Sequence, residues 1–387
     1  MKKVEVYASV GGAAFFEQLL AQWERGGWQV SRHHALQEEE YRAARSTLQR
    51  MRLRWKMYGA FAWQCWQTTR QSRRRAPLRV VTTNPFFAPG LVAWTAKGSG
   101  ATINLLYDLY PDALVLAGVL PADSWLARRC EKLTRIALRE CAATVFLGER
   151  LRQHTETRYG AARKAVVIEV GADGTPFRLT PPIPIGPDEN VTLLYAGHMG
   201  RMHEIETMAM ALASGIPHGL QLIFHASGAG YAQLREKFPV TARCVWGGPL
   251  PQAVWQQTMT SAQVALVTMA RGAENIVMPS KTYSALVAGQ AILAVCAGES
   301  DLADLVRKHE CGWVVEPGDV AGLRRCWDEI THDRAALLKK RTRAYAAGHE
   351  LFDSRVIADR WERLFEELLL VGAEVGSSAC GFPSPDR

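Results

Sequence analysis

The sequence predicts an α/β fold in which two doubly wound, Rossmann-like domains follow one another and face a cleft. Three observations support this prediction. Short apolar segments of four to eight residues alternate with helical segments, a pattern typical of parallel sheets covered on both faces. A stretch with four prolines, residues 180–190, interrupts the alternation. The length of 387 residues suits two domains of ordinary size.

The first series of elements begins with "KVEVYASVGGAAFFEQLLAQWERGGWQV", which indicates a strand, a Gly-Gly turn, a helix and a second strand. Further strands are predicted at "LRVVTTNP", "ATINLLYDLYPD", "ATVFLG" and "KAVVIEVGAD". We therefore predict an N-terminal domain over residues 1–180. Because proline fixes φ and has no N–H to donate, residues 181–190 are predicted to form a linker rather than a strand or helix.

The second series contains six strand-like segments: "VTLLYAG", "LQLIFHASG", "ARCVWGG", "AQVALVTM", "AILAVC" and "GWVVEP". They predict a C-terminal domain over residues 191–350. The helical segment at 351–371 could close this domain or cross back to the first. The last residues, 372–387, are predicted to be disordered.

The composition excludes several classes of protein. The apolar fraction of 48% and the charged fraction of 22% are ordinary for a globular protein. No stretch of 18 apolar residues is present, so no membrane span is predicted, and the N-terminal apolar run is too short for a signal peptide. The eight cysteines have no Cys-x-x-Cys spacing and no His cluster joins them. These features predict reduced thiols, no metal site and a cytoplasmic location.

The net charge of +8 is unevenly distributed along the chain. Residues 1–180 hold 27 Lys+Arg against 15 Asp+Glu, whereas residues 181–387 hold 19 against 23. Such asymmetry predicts that the first half meets an anionic partner.

Candidate site residues follow the strands of the second domain, because ligands of open α/β sheets bind beyond the carboxyl ends of the strands. In "LLYAGHMGRMHEIETM", Gly197 and Gly200 allow a tight turn, and Arg201 and His203 lie where a helix is predicted to begin. These residues are predicted to contact an anionic ligand. Alternatively, the glycines only end a strand, and the two polar side chains are solvated.

Two more strand ends of the second domain have suitable chemistry. In "LIFHASGAG", Gly228 and Gly230 let the backbone approach a flat ligand. A predicted helix start carries Pro279, Ser280, Lys281 and Thr282. Its first amides and the Lys281 charge suit phosphate or diphosphate. Lys281 as a plain surface lysine is the alternative.

The segments "YAGHMGRMHEIET", "PSKTYSALVAG" and "CGWVVEPGD" resemble glycosyltransferase family 4, whose members are retaining transferases of GT-B fold. They are similar in particular to members that build bacterial lipopolysaccharide and exopolysaccharide. In the first domain, "NLLYDLYPDALVLAGVL" and "KAVVIEVGADGTPF" also resemble the family. The resemblance covers most of residues 1–370.

This resemblance implies a hexosyl- or N-acetylhexosaminyltransferase that uses a nucleotide diphosphate sugar and needs no protein-bound metal or other cofactor. It implies catalytic roles for Asp108, Arg201 and Lys281, and an acceptor side that includes Gly11 and Gly12. The acceptor would be a lipid-linked or surface-glycan intermediate. Two other classes stay open, namely another GT-B enzyme such as a sugar-nucleotide epimerase, and a non-catalytic membrane- or nucleic-acid-binding protein.

The chain departs from the family pattern at two positions. The family often carries two glutamates eight residues apart, and the matching positions here are Ile276 and Ser284. Glu274 is near but out of register. Glu299 could supply a donor contact, although an acid beside a helix start is commonly a capping residue.

Residues 41–79 hold eleven Lys+Arg and no acid, together with three tryptophans. Leu48, Met51, Trp55, Tyr58, Ala62 and Cys65 follow helical spacing on one face. A basic helix with interfacial tryptophans predicts binding to an anionic membrane on its cytoplasmic side. The predicted membrane residues are Arg52, Trp55, Lys56, Trp63, Trp66, Arg73, Arg74 and Arg75. An ordinary helix packed on the sheet is the alternative, and nucleic acid ranks last because no RNA- or DNA-binding motif accompanies the stretch.

Overall fold

The computed structural model describes residues 2–12, 14–43, 46–73 and 78–378, which form two compact units. The first unit comprises residues up to Val115, Leu120–Glu169 and the chain from Ile357 onward. The second comprises Leu116–Val119 and Val170–Val356. Its start lies before the predicted boundary at 180, because the Ala172 amide donates to the Phe352 carbonyl at 2.9 Å and thereby joins this segment to the end of the second unit.

In the first unit the strands are β1 Lys3–Tyr7, β2 Val10–Gly11, β3 Gln29–His33, β4 Leu36–Gln37, β5 Leu78–Thr82, β6 Ala101–Leu106, β7 Ala143–Phe146 and β8 Ala165–Val167. The helices are α1 Ala14–Arg25, α2 Glu38–Ala43, α3 Thr47–Trp55, α4 Phe61–Ser72, α5 Ala88–Thr95, α6 Asp112–Leu116, α7 Trp125–Glu140 and α8 Glu149–Tyr159. Six strands form a parallel sheet in the order β3-β1-β5-β6-β7-β8, and β2 pairs with β4 beside it.

In the second unit the strands are β9 Val191–His198, β10 Leu220–Ser227, β11 Cys244–Gly247, β12 Val264–Thr268, β13 Ala291–Val295 and β14 Gly312–Val315. The helices are α9 Glu206–Ala213, α10 Ala229–Lys237, α11 Gln252–Ser261, α12 Lys281–Val287, α13 Asp301–Lys308, α14 Val320–His332 and α15 Arg334–Leu351. The last helix, α16 Ser354–Ser378, starts in this unit and belongs to the first unit from Ile357 onward. The sheet is parallel, in the order β11-β10-β9-β12-β13-β14.

The central strands of this second sheet explain why the fold could be predicted. Every residue of β12 and β13 is buried, as expected for strands covered on both faces. The strand order is that of a Rossmann fold. The predicted α/β class with two Rossmann-like domains is confirmed.

Helix α16 packs with the first unit from Ile357 onward. Its Trp361 and Phe365 rings lie 5.4 and 5.0 Å from the Trp23 ring, and all three side chains are buried. Disorder was expected from residue 372, but α16 continues through residues 372–378. Residues 379–387 lie outside the described residues.

The basic stretch forms α3 and α4, joined by the π-helical turn Lys56–Ala60. The predicted single apolar face divides between two sides of this helix. Leu48, Met51 and Trp55 are exposed, whereas Cys65 is buried. The buried side instead consists of residues four apart, namely Leu53, Met57, Phe61, Cys65 and Thr69. The π-turn causes this division because its extra residue shifts the register of the residues that follow.

Candidate functional site

The order of the second sheet indicates where a ligand would bind. The connection reverses direction between β9 and β12, and open α/β sheets bind ligands beyond the carboxyl ends of the strands at such a switch point. Strand β9 ends at His198 and β12 ends at Thr268. The side chains at these two strand ends, and at the helix that follows β12, therefore define the candidate site.

The Lys281 amine lies at this switch point. Its Nζ donates to the Tyr195 hydroxyl at 2.5 Å and to the His198 carbonyl at 3.2 Å. It also lies 3.8 Å from the centre of the Tyr195 ring, which adds a cation–π contact. Within the described part of the chain no carboxylate forms a salt bridge with Lys281. The amine is thus held by neutral groups and has no anionic partner of its own.

Burial lowers the pKa of Lys281 from 10.5 to about 7, because the protein offers the ammonium less solvation than water does. Burial likewise raises the pKa of Tyr195, whose hydroxyl stays neutral and donates to the His198 carbonyl at 2.9 Å. A negatively charged ligand would reverse the effect on Lys281, because an opposite charge favours the protonated amine. This electrostatic arrangement suits an anion such as diphosphate.

His203 completes the same cluster. The Gly200 amide donates to its Nδ1 at 3.1 Å, so the neutral ring carries its proton on Nε2. Nε2 lies 3.4 Å from the Lys281 amine, and a protonated Nε2 cannot accept a hydrogen bond from it. Burial, with the nearby Lys281 charge, lowers the pKa of His203 to about 3. His203 is therefore neutral near pH 7 and presents a donor at the site.

Gly197 and Gly200 shape the loop that carries these groups. Gly197 has a φ of +124°, and a Cβ there would lie 4.0 Å from the Lys281 side chain. At Gly200 a Cβ would lie 2.8 Å from the His198 ring. The loop remains irregular until α9 begins at Glu206, so the expectation of a helix start at Arg201 and His203 is wrong.

The Arg201 side chain is exposed, and its guanidinium donates to the Ala117 carbonyl at 2.8 Å. Ala117 belongs to the short Leu116–Val119 segment that clusters with the second unit. One such bond leaves other guanidinium N–H groups for a ligand. The structure thus places Arg201 on the same loop as His203, with a backbone contact of its own.

Packing within the second unit explains why glycine stands at positions 228 and 230, without any ligand. A Cβ at Gly228 would lie 2.5 Å from the Met199 carbonyl oxygen, and its φ is +110°. A Cβ at Gly230 would lie 3.1 Å from the Met199 side chain. The two glycines therefore let the β10–α10 turn approach the β9–α9 loop. Packing against that loop accounts for both glycines, and their role in donor binding stays a prediction.

The predicted helix start is the N-terminus of α12. Of the three backbone amides expected to point at a ligand, one already donates a hydrogen bond within the turn. The Thr282 amide donates to the Pro279 carbonyl at 3.1 Å, which corrects the expectation that it points at a ligand. The turn is tight at this point, since the next amide donates to the Ser280 carbonyl at the same distance. Within the described residues, the amides of Ser280 and Lys281 have no recorded acceptor.

The acidic candidates differ in their surroundings. Glu299 is exposed and precedes Ser300, whose side chain caps α13 by accepting from the Ala303 amide. Glu274 is partly buried, and one of its carboxylate oxygens is fully buried without a hydrogen bond. At the two family positions, Ile276 is buried and Ser284 lies on α12.

In the first unit, Asp108 lies just beyond the carboxyl end of β6. Burial raises the pKa of its carboxyl group, and a hydrogen bond from the Tyr110 side chain opposes this rise. Gly11 ends β2 and Gly12 follows it; a Cβ at Gly11 would lie 3.0 Å from the His34 ring, and Gly12 has a φ of +86°. Packing thus accounts for both glycines, and their acceptor role stays a prediction.

Three residues of the cluster escaped the sequence reasoning: Tyr195, His198 and Thr268. Tyr195 is 86 positions from Lys281 in sequence, and only the pairing of β9 with β12 brings them together. Thr268 ends β12, and a hydrogen bond with its side chain acts on the pKa of Tyr195. The available signal was a tyrosine two residues before Gly197, the first glycine of a strand-end loop.

Among residues 2–12, 14–43, 46–73 and 78–378, no group of three or more His, Cys, Asp or Glu side chains is placed to hold a metal ion. No helix in this part of the chain combines the length and apolar character needed to cross a bilayer.

Comparisons with known proteins bear on this architecture. No protein-family model matches the chain. A curated relative, the probable glycosyltransferase WbjE of Pseudomonas aeruginosa, is 26% identical over 240 residues. The match spans 59% of each protein, so the chain covers about three fifths of the relative's length.

Solved structures extend the similarity to nearly the whole chain. Sucrose-phosphate synthase from Thermosynechococcus elongatus matches with a TM-score of 0.72 at 15% identity, over 96% of this chain and 100% of the other. HepE of Anabaena, in complex with UDP and glucose, matches with a TM-score of 0.69 at 14% identity, over 95% and 100%. This chain has the GT-B fold. In this GT-B protein the Lys281 cluster lies at the switch point of the second Rossmann-like unit.

Proposed function

We propose that this protein is a glycosyltransferase that moves a sugar from a nucleotide diphosphate sugar, with UDP as the preferred base, to an acceptor. The observation that carries the proposal is the Lys281 amine, which lies partly buried among neutral groups at the switch point and has no carboxylate partner in the described residues. The similarity to a probable glycosyltransferase, and the likeness to a fold that HepE uses with UDP and glucose, support it.

In the proposed reaction the bond between the sugar and the diphosphate breaks, and the nucleoside diphosphate leaves with added negative charge. Lys281 stabilises that charge as an ammonium, and Arg201 adds a second cation from the β9–α9 loop. Groups that are already oriented towards a developing charge typically lower a barrier by about 3–4 kcal/mol each. The two side chains take the role that a metal has in other transferases, so we propose that no protein-bound metal is required.

The donor sugar needs hydroxyl contacts that the family supplies through glutamates. Glu274 is suited to one of them, because one of its oxygens is buried without a hydrogen bond and an unpaired buried acceptor is costly until a ligand satisfies it. We extend the proposal to a hexose or N-acetylhexosamine donor, transferred with retention of configuration as in family 4. Glu299 stays a second candidate for a donor contact.

For the acceptor we propose a lipid-linked or surface-glycan intermediate on the cytoplasmic face of the membrane, as in lipopolysaccharide or exopolysaccharide assembly. The basic composition of residues 1–180 supports an anionic surface as partner. Asp108, beyond the end of β6, is the proposed catalytic group of the first unit. Its carboxylate would accept a hydrogen bond from a sugar or stabilise positive charge at the anomeric carbon.

A thermal-shift screen of UDP-, GDP- and dTDP-sugars tests the donor part. A ligand that binds only the folded protein raises its melting temperature, by an amount that grows with concentration. We expect UDP-sugars to give the largest rise. Slow release of UDP without acceptor then shows an enzyme, and acceleration by acceptor shows a transferase rather than an epimerase. No shift with any nucleotide sugar at millimolar concentration would overturn the proposal.

A further inference from the structure

An exposed apolar stripe runs along α3 and α4. Leu48, Met51, Trp55 and Trp63 are 78%, 61%, 67% and 62% exposed, although all four are large apolar side chains. They recur over about four turns of one continuous helix, so they form a line rather than scattered positions. An exposed apolar line of this kind marks an interaction surface.

The π-turn places this stripe on the side of the helix away from the sheet. In a regular α-helix, residues four apart drift by about 40° per step, because four residues exceed one turn of 3.6. The wider π-turn at 56–60 offsets that drift, so the buried residues from Leu53 to Thr69 stay in line. The exposed stripe is the opposite side. At Gly59 a Cβ would lie 3.2 Å from the Trp55 indole nitrogen, so this glycine lets the indole lie along the helix.

The helix is fixed firmly to the first unit. The Ser72 hydroxyl, at the end of α4, donates to the buried Glu5 carboxylate at 2.7 Å. Glu5 in turn lies 3.5 Å from Arg79, whose side chain is fully buried on β5. The orientation of α4, and with it the exposure of the stripe, is therefore a property of the folded unit.

The charges beside the stripe have one sign. Residues 46–73 hold six basic side chains and no acid: Arg50, Arg52, Arg54, Lys56, Arg70 and Arg73. Lys56 pairs with Glu40 of α2 at 2.7 Å. Arg70 lies over the Trp66 ring at 5.2 Å, and that ring lies 5.0 Å from Trp63. An apolar line with indoles and a surplus of arginine complements an anionic lipid surface.

A run of aromatic rings leads from this helix to the end of β6. The Tyr58 ring lies 6.4 Å from Phe87, Phe87 lies 5.7 Å from Phe86, and Phe86 lies 5.8 Å from Tyr110. Tyr110 hydrogen-bonds with Asp108 through their side chains. The helix with the exposed stripe is thus connected by ring contacts to the carboxylate that we assign to catalysis.

We infer that the stripe of Leu48, Met51, Trp55 and Trp63 seats the first unit on an anionic phospholipid bilayer, with α3 and α4 lying in the plane of the headgroups. Seated in this way, the protein holds Asp108 near the surface from which a lipid-linked acceptor presents its sugar, with the aromatic run between them. The bilayer contact stands on the stripe and its charges alone. Only the delivery of an acceptor to Asp108 rests on the proposed function.

The test uses the whole 387-residue chain and vesicles of phosphatidylcholine with or without phosphatidylglycerol. Wild type is expected to sediment with the anionic vesicles at 50 mM salt and to be largely released at 500 mM, because salt screens surface charges. At about 1 kcal/mol for each basic residue near the surface, R50Q/R52Q/R54Q should weaken the partition coefficient about a hundredfold. W55S/W63S should weaken it at least tenfold.

The control variants make the same types of substitution, Trp to Ser and Arg to Gln, at positions outside the stripe. W94S removes a tryptophan that is 67% exposed, as Trp55 is. R139Q/R235Q/R325Q lowers the net charge by the same three units at exposed positions. Both controls should retain at least half of the wild-type partition coefficient, and melting temperatures should show that every variant is folded.

Three outcomes would overturn the inference: equal sedimentation with neutral vesicles, stripe variants that bind as the controls do, or a single-stranded RNA that binds this surface more tightly than the anionic vesicles. Donor hydrolysis in solution separates the two proposals. Stripe variants that release UDP at the wild-type rate but leave the vesicles support the membrane surface. Vesicle binding without any donor hydrolysis would refute the proposed enzyme and leave the membrane surface in place.

Discussion

Replacing Lys281 by Met should stabilise the ligand-free protein while removing its response to UDP. Burial lowers the Lys281 pKa from 10.5 to about 7. At 1.36 kcal/mol for each pKa unit, this fall corresponds to an upper bound of roughly 5 kcal/mol that the folded protein spends on holding the charge. Met keeps the length of the side chain without the charge. Tyr195 keeps a hydrogen bond to the His198 carbonyl at 2.9 Å, so the substitution leaves that hydroxyl satisfied.

The Met variant also loses the amine's two hydrogen bonds, each worth about 1 kcal/mol, which leaves a gain of about 1–3 kcal/mol. For a domain of 150–250 residues this raises the melting temperature by about 2–4 °C for each kcal/mol. The folded-state pKa lies below the unfolded one, so the unfolded chain binds this proton more tightly. The stability that the Met variant gains over wild type is therefore fully present below about pH 7 and fades as the pH rises towards 10.5.

Melting curves of wild type and Lys281→Met at pH 6, 8 and 9.5, with and without 1 mM UDP, provide the measurement. We expect the variant to melt higher at pH 6, the difference to shrink by pH 9.5, and UDP to stabilise only wild type. Lys281→Arg is the matched control, because it keeps a cation that burial does not readily neutralise. A variant that melts below wild type at pH 6, or a difference that is the same at every pH, would refute the assignment of a strained charge to Lys281.

Three further substitutions probe the proposed catalytic roles of Arg201 and Asp108 and the packing of Gly228. Arg201→Ala should lower kcat more than it raises the KM for donor, since its charge matters most as the diphosphate leaves; a change in KM alone would make it a ground-state binding residue. Asp108→Asn should reduce transfer at least a hundredfold with donor affinity nearly unchanged, and near-normal transfer would return Asp108 to a structural role. Gly228→Ala should lower stability by about 2 kcal/mol or more, because its φ is +110° and the new Cβ would meet the Met199 carbonyl at 2.5 Å. Gly248→Ala is its control in a melting experiment, since nothing lies within 4 Å of that Cβ and its φ is unremarkable.

The sequence was most informative where a pattern is local. Alternating strands and helices predicted both sheets, because β12 and β13 are continuous apolar runs that only a doubly covered sheet accommodates. The proline and lysine before α12 predicted a helix start with a cation. In each case the residues that carry the pattern are adjacent in the chain, so no tertiary contact was needed to interpret them.

The sequence was least informative where two distant segments decide the outcome. The Lys281 amine meets Tyr195 only because β12 pairs with β9 in the sheet, and no local pattern links these two residues to each other. Gly228 was interpreted only as room for a ligand, and its packing against Met199 of the preceding loop was not foreseen, because that loop is distant in sequence. The apolar residues of α3 and α4 were assigned to one face, because a π-turn cannot be seen in a periodic pattern.

The most direct test of the Lys281 site is calorimetric titration of UDP into wild type and Lys281→Met at pH 7.5, repeated in two buffers that differ in their heat of ionisation. Near pH 7.5 most Lys281 amines are neutral, given a pKa of about 7, and a bound diphosphate favours the ammonium. Wild type should therefore take up a large fraction of one proton for each UDP bound, and the variant should bind UDP at least tenfold more weakly with little uptake. Equal affinity and equal proton uptake in the two proteins would show that the diphosphate does not meet Lys281.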